Sequence, residues 1–214
     1  MKFSEALSST WQFFQGGGIF MFLLALCSFA AVTVIVLKIT TLTRKQVLPT
    51  ELEVEVEKFE EHLEAGNLSD LQEEFARGEN SLARLCAVAL RNAGRTQGEV
   101  KEAVQSSARE EVVRMNSGLP VLEVVITIAP LLGLLGTASG LVTVFADLES
   151  DAKIQKGIAT ALSTTIVGLA VAIPSVIAQS VFSRKIETFS ARLEVLLGRL
   201  VSACHQHVFF RDHK

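Results

Sequence analysis

The sequence predicts an all-α membrane protein with three transmembrane helices, from three long uncharged apolar runs and the charged, helically periodic segments between them. A hydrocarbon core about 30 Å thick takes roughly 20 consecutive apolar residues on a helix. Gly16–Leu37, Val124–Phe145 and Ile158–Ser183 each reach that length without a charged residue. The hydrophobic fraction of 49% is close to ordinary, so the clustering rather than the average decides the class. A net charge of −3 argues against an electrostatic nucleic-acid binder. The cysteines, Cys27, Cys86 and Cys204, lie far apart and imply no disulfide framework.

Residues 1–15 carry Phe3, Leu7, Trp11 and Phe14 at helical spacing and predict an amphipathic helix at the membrane interface. The first span, 16–38, is too long and has too weak a basic n-region for a cleaved leader, so it reads as a retained helix. Lys38, Arg44 and Lys45 follow this span directly, Arg114 precedes the second, and Arg184 and Lys185 open the tail. The positive-inside rule therefore places the N-terminus outside and the C-terminus in the cytoplasm.

The segment 39–120 is expected to be cytoplasmic and helical, with Leu48, Leu52, Val56, Phe59 and Leu63 at intervals of three and four. Gly66-Asn67 ends that helix and Ser69 caps the next; another covers about 79–93. The periodic stretch 97–117 is expected to run straight into the second span, 121–146. A short periplasmic loop, 147–156, leads to the third span, 157–183, whose helix continues into a cytoplasmic tail, 184–214.

The first span is bulky and reads as lipid-facing. In the second, Ala129, Gly133, Gly136, Thr137, Gly140 and Thr143 share one stripe; in the third, Ala161, Thr165, Gly168, Ala172, Ser175 and Gln179 do. Small residues let helices approach closely and hydroxyls bond across the contact, so packing alone accounts for part of the pattern. The further hydroxyls Thr160, Ser163 and Thr164 point instead to a protein-lined or water-lined interior. Pro130 and Pro174 each remove a backbone hydrogen bond inside a span and predict kinks. Neither span has an acid or base in its middle, although an intramembrane proton relay normally uses a titratable group. If protons pass, the titrating carboxylate comes from another chain.

Other patterns carry little. The glycine-rich run Gly133–Gly140 lacks the lysine of a phosphate-binding loop, and Cys204, His205, His207 and His213 fit no common metal signature. The acid run Glu51–Glu64 is most simply a solvated helix face. No nucleophile–base pair, paired carboxylates or metal-binding helix motif is placed at membrane depth, which disfavours an enzyme. No cofactor is expected.

The segments Gly118-Leu-Pro-Val-Leu-Glu with Ile128-Ala-Pro-Leu-Leu-Gly-Leu-Leu-Gly-Thr137, and Lys156-Gly-Ile-Ala-Thr-Ala-Leu-Ser-Thr-Thr165 through Pro174, resemble the second- and third-span signatures of the ExbB/TolQ/MotA proton-channel family. The resemblance implies a homopentamer of long helices in the bacterial inner membrane. The pentamer would enclose a dimer of a single-pass ExbD- or TolR-like partner whose transmembrane aspartate takes the proton. By position, Thr137 and Thr165 match the pore-lining threonines, and Thr160, Thr164 and Ser175 join them on the expected proton pathway. Gly133, Gly136, Gly140, Gly168 and Ala172 would pack the pore wall.

One position departs: many members carry a glutamate where Thr160 stands, and here a hydroxyl takes its place. Three spans rank the flagellar-stator branch last. The resemblance favours an ExbB-like role with a TonB-like protein, ahead of a TolQ-like role with a TolA-like protein.

Overall fold

The computed structural model describes residues 18–65, 69–146 and 151–212, and every regular element among them is a helix. The interfacial helix expected over 1–15, the Gly66-Asn67 turn and the first part of the loop after the second span lie outside the described residues. The helices are α1 Gly18–Thr41, α2 Arg44–Val47, α3 Thr50–Glu57, α4 Phe59–Ala65, α5 Ser69–Arg77, α6 Ser81–Arg91, α7 Gln97–Asn116, α8 Leu119–Ala146 and α9 Asp151–Asp212. Three stretches, in α1, in α8 and in the first half of α9, are long and apolar enough to cross a membrane. The chain divides into two compact units, the first formed by the described parts of Met1–Leu37 and Gly118–Val181, the second by those of Lys38–Ser117 and Phe182–Lys214.

In the first unit α1 is two-faced. Phe22, Leu26 and Phe29 are exposed, but Met21, Leu24 and Ala31 are buried at spacings of three and seven. The first span, read as lipid-facing, thus also has one stripe that packs inside the unit. Helices α8 and α9 continue through Pro130 and Pro174.

The chain departs from expectation at one helix junction. The helix over 97–117 does not run straight into the second span, because α7 ends at Asn116 and Gly118 takes φ +86° before α8 begins. Pro120 supplies the reason. In a continuous helix it would leave the Asn116 carbonyl without its donor and push its ring against that carbonyl, whereas in the first turn of a new helix its missing N–H is harmless. The end of α7 is closed by Ser117 N–H donating to Val113 O at 3.0 Å and by Lys38 Nζ donating to Met115 O at 2.7 Å. Its start is a capping box, in which Thr96 Oγ1 accepts from Glu99 N–H and Thr96 N–H donates to Glu99 Oε2.

The helix read over 48–63 is likewise divided between α3 and α4, with Pro49 at the head of α3 and a non-helical residue at Lys58. Helix α6 matches the segment expected near 79–93, capped by Asn80, whose Oδ1 accepts from Ala83 N–H at 2.8 Å. Arg84 clips α6 to α7 through two hydrogen bonds to Glu111, at 2.7 and 2.9 Å.

Glu53, 6% exposed, is a buried carboxylate of the second unit and accepts hydrogen bonds from Arg192 and from Arg44. Burial raises its pKa, but the hydrogen bonds from Arg192 and Arg44, helped by their charges, outweigh burial and leave it below the ordinary glutamate value. A group with a depressed folded pKa stabilises fully above its unfolded value, and the contribution disappears as pH falls through the folded one. Glu53→Gln is therefore expected to destabilise by about 1–3 kcal/mol near neutral pH. The gap from wild type should narrow below about pH 4.3, the ordinary glutamate value. Melting curves of both proteins from pH 3 to 7 check this, and a gap independent of pH contradicts it.

Candidate functional site

The site is built where α8 meets α9 inside the first unit. Small residues recur on both helices every three or four positions, so the two backbones come close enough to touch. A methyl added at Gly168 would sit 2.6 Å from the Ala129 carbonyl oxygen and 3.2 Å from Gly133 Cα. One added at Gly133 would meet the Thr164 carbonyl oxygen at 2.9 Å and Thr165 Cα at 3.0 Å. Gly136 faces Thr164 Oγ1 on one side and Phe20 of α1 on another, and Gly140 faces Ala161.

This proximity brings three hydroxyls together. Thr137 Oγ1 is in hydrogen-bond contact with Thr165 Oγ1, and it reaches Ala161 O at 2.9 Å and Gly133 O at 3.1 Å. Thr165 Oγ1 donates to Gly133 O at 3.0 Å. Thr164 Oγ1 reaches Ala161 O at 2.8 Å and Gly133 O at 3.1 Å. Thr164 is buried at 2% exposure, whereas Thr137 and Thr165 are half-buried.

Each hydroxyl carries one proton and two lone pairs. Three protons thus serve two carbonyl oxygens and three hydroxyl oxygens, leaving Thr137 and Thr165 with unfilled acceptor capacity on their accessible side. By rotating, these hydroxyls donate to a carboxylate or accept from a protonated carboxyl. What they lack is a titrating group: α8 after Glu123, and α9 between Lys156 and Arg184, contain no Asp, Glu, His, Lys or Arg.

The structure therefore gathers Thr137, Thr164 and Thr165 with Gly133, Gly136, Gly140 and Gly168. Ala172 is buried further along α9. Ser175 is buried too, but its hydroxyl donates back to Val171 O at 2.7 Å. It lies about 15 Å along the helix from Thr165, at 1.5 Å per residue. Thr160 is half-buried, one turn before Thr164. Sequence reasoning missed the Gly133 carbonyl as the common acceptor and Phe20 as a neighbour of the cluster. A backbone oxygen has no sequence signature, and Phe20 sits in a span whose composition shows no preferred face.

A model of the MotA/TolQ/ExbB proton channel family matches residues 77–195, more than half of the chain and all of the hydroxyl cluster. Among named relatives, the chain is 38% identical over 87 residues to the biopolymer transport protein ExbB of Helicobacter pylori, covering 38% of this chain and 60% of that protein. It is 36% identical over 105 residues to the Tol-Pal system protein TolQ of Pseudomonas aeruginosa, covering 47% of this chain and 42% of that protein. Over 137 residues it is 31% identical to the biopolymer transport protein exbB1 of Vibrio cholerae, covering 61% of this chain and 60% of that protein. The chain thus spans between 42% and 60% of the length of these relatives. With its three apolar helices and this match, the chain is a multi-pass membrane protein that belongs to the MotA/TolQ/ExbB proton channel family.

Proposed function

We propose that the chain is the wall of a proton-driven motor in the bacterial inner membrane, with its N-terminus periplasmic and its tail cytoplasmic. The observation that carries this reading is the partly buried pair Thr137 and Thr165, polar and proton-exchanging at membrane depth, in spans without a titrating residue in their middle. A partner of ExbD or TolR type supplies the missing aspartate, and the threonines hydrogen-bond it in either protonation state. A charge crossing the membrane potential gains about 2.3 kcal/mol per 100 mV. Protonation neutralises the aspartate, changes its preferred position against the hydroxyl surface, and so moves the partner within a homopentameric ring. The work goes to a TonB-like protein for outer-membrane transport, and the relatives named for biopolymer transport favour this over a TolA-linked role in envelope integrity. The similarity to TolQ supports that second role over the same matched segment.

Co-expression with a single-pass ExbD- or TolR-like protein, followed by native mass spectrometry, tests the assembly. A pentamer holding a partner dimer is the expected result. A homo-oligomer without a partner would favour a passive scaffold, in which the glycine stripes serve packing alone.

A further inference from the structure

The second unit carries a groove of about 870 Å³ between α7 and the tail half of α9. Its floor is apolar, with Val104, Leu197 and Val201, and narrows to small residues at Ala108 and Gly198. A methyl built on Gly198 meets nothing within 4 Å, so the groove is open at that position. Lys101 and Arg109 stand among its lining, against Glu194 alone, and Val113 beside them is 71% exposed.

The same unit displays a complementary ridge. Leu52 and Val56 of α3 are buried, while Glu51 and Val54, 42% exposed, face outward, and Glu55 beside them is part-exposed with its carboxylate 2.8 Å from His62 Nε2. The ridge lies on the other side of α9, because α3 is held there by Arg192 bonding Glu53 and Glu57. At about 100° per residue, Arg192 and Arg199 lie opposite Leu197 and Val201 on that helix. An acidic, apolar ridge and a basic, apolar groove thus occupy opposite sides of one element. Patches so placed join copies head to tail, and such contacts close into rings when the rotation permits.

We infer that the groove between α7 and α9 receives the Glu51–Val54–Glu55 face of α3 from a second copy of this chain. The inference rests on the homo-oligomer reading above and names the surface that would join its subunits. The test is a full-length chain with Val54→Cys and Gly198→Cys, oxidised in native membranes. Cys86 and Cys204 are buried thiols, and burial pushes Cys204 up to about 11, so both stay protonated and unreactive near neutral pH.

A ladder of cross-linked chains is expected from the double variant and from neither single variant. Adding Lys101→Glu and Arg109→Glu should lower its yield by about tenfold or more, as like charges then face each other. Adding Glu51→Lys and Glu55→Lys as well should restore it. No ladder from a preparation that native mass spectrometry shows to be homo-oligomeric overturns this docking and leaves the channel reading intact. Dimers from Val54→Cys alone overturn it in favour of a two-fold contact, and a monomeric mass overturns both readings.

Discussion

Replacing Thr137 and Thr165 together with valine is expected to abolish proton-driven work while the assembled protein keeps its composition and nearly all its stability. Valine has the shape of threonine and removes only the hydroxyl. Interhelical hydrogen bonds inside membranes average about 0.6 kcal/mol, so two lost hydroxyls weaken the α8–α9 contact by about 1 kcal/mol. The carbonyls of Gly133 and Ala161 lie within continuous helices, so they keep their helical partners. The proton step loses far more, because a carboxylate facing two valines has neither donor nor acceptor in that wall. Serine at both positions retains the chemistry and is expected to retain the work. Proton-driven transport in cells, with the amount of assembled complex as control, reads both variants. Work undiminished in the valine pair would show that the hydroxyls serve packing alone.

The second large effect is structural. Gly168→Val should separate α8 from α9, because the first added carbon would lie 2.6 Å from the Ala129 carbonyl oxygen. That neighbour is backbone and cannot swing aside. Overpacking of this kind costs about 1–3 kcal/mol even where side chains can adjust, so Gly168→Val should fall at or beyond that range. Gly98→Ala is the contrast, since a methyl there meets nothing within 4 Å. It should be neutral or gain up to about 1 kcal/mol of helix propensity. Melting temperatures in detergent check the pair. Equal stabilities would mean that α8 and α9 do not approach as closely as this geometry requires.

These two sites show how differently sequence speaks at different levels. The spans were legible because about 20 uncharged apolar residues in a row match the thickness of a bilayer and are rare in water-soluble folds. The stripes were legible because small residues recur at helical spacing, and they lead to the same glycines and threonines that meet across α8 and α9. The hub of the cluster was not legible, because Gly133 contributes a carbonyl oxygen that every residue carries. The continuous helix expected through 97–146 fails at one identifiable residue. The apolar periodicity does carry across Met115 and Leu119, but Pro120 ends the hydrogen-bond ladder beneath it. Thr96 and Glu99 spell a capping box whose three-residue spacing was there to be read at the start of α7. In α3, a run of acids that reads as a solvated face conceals Glu53, which is buried because Arg192, 139 positions later, reaches back to it. Long-range charge pairing leaves no local pattern.

On the function proposed above, this chain supplies a hydroxyl surface and another chain supplies the titrating carboxyl. Proton flux into proteoliposomes under an imposed potential tests this most directly, comparing this chain alone, this chain with a single-pass ExbD- or TolR-like protein, and the same pair with that protein's transmembrane aspartate changed to asparagine. Flux confined to the intact complex, and absent from both others, is the predicted result. Equal flux from this chain alone would contradict it, and would mean that protons cross α8 and α9 without a borrowed acid.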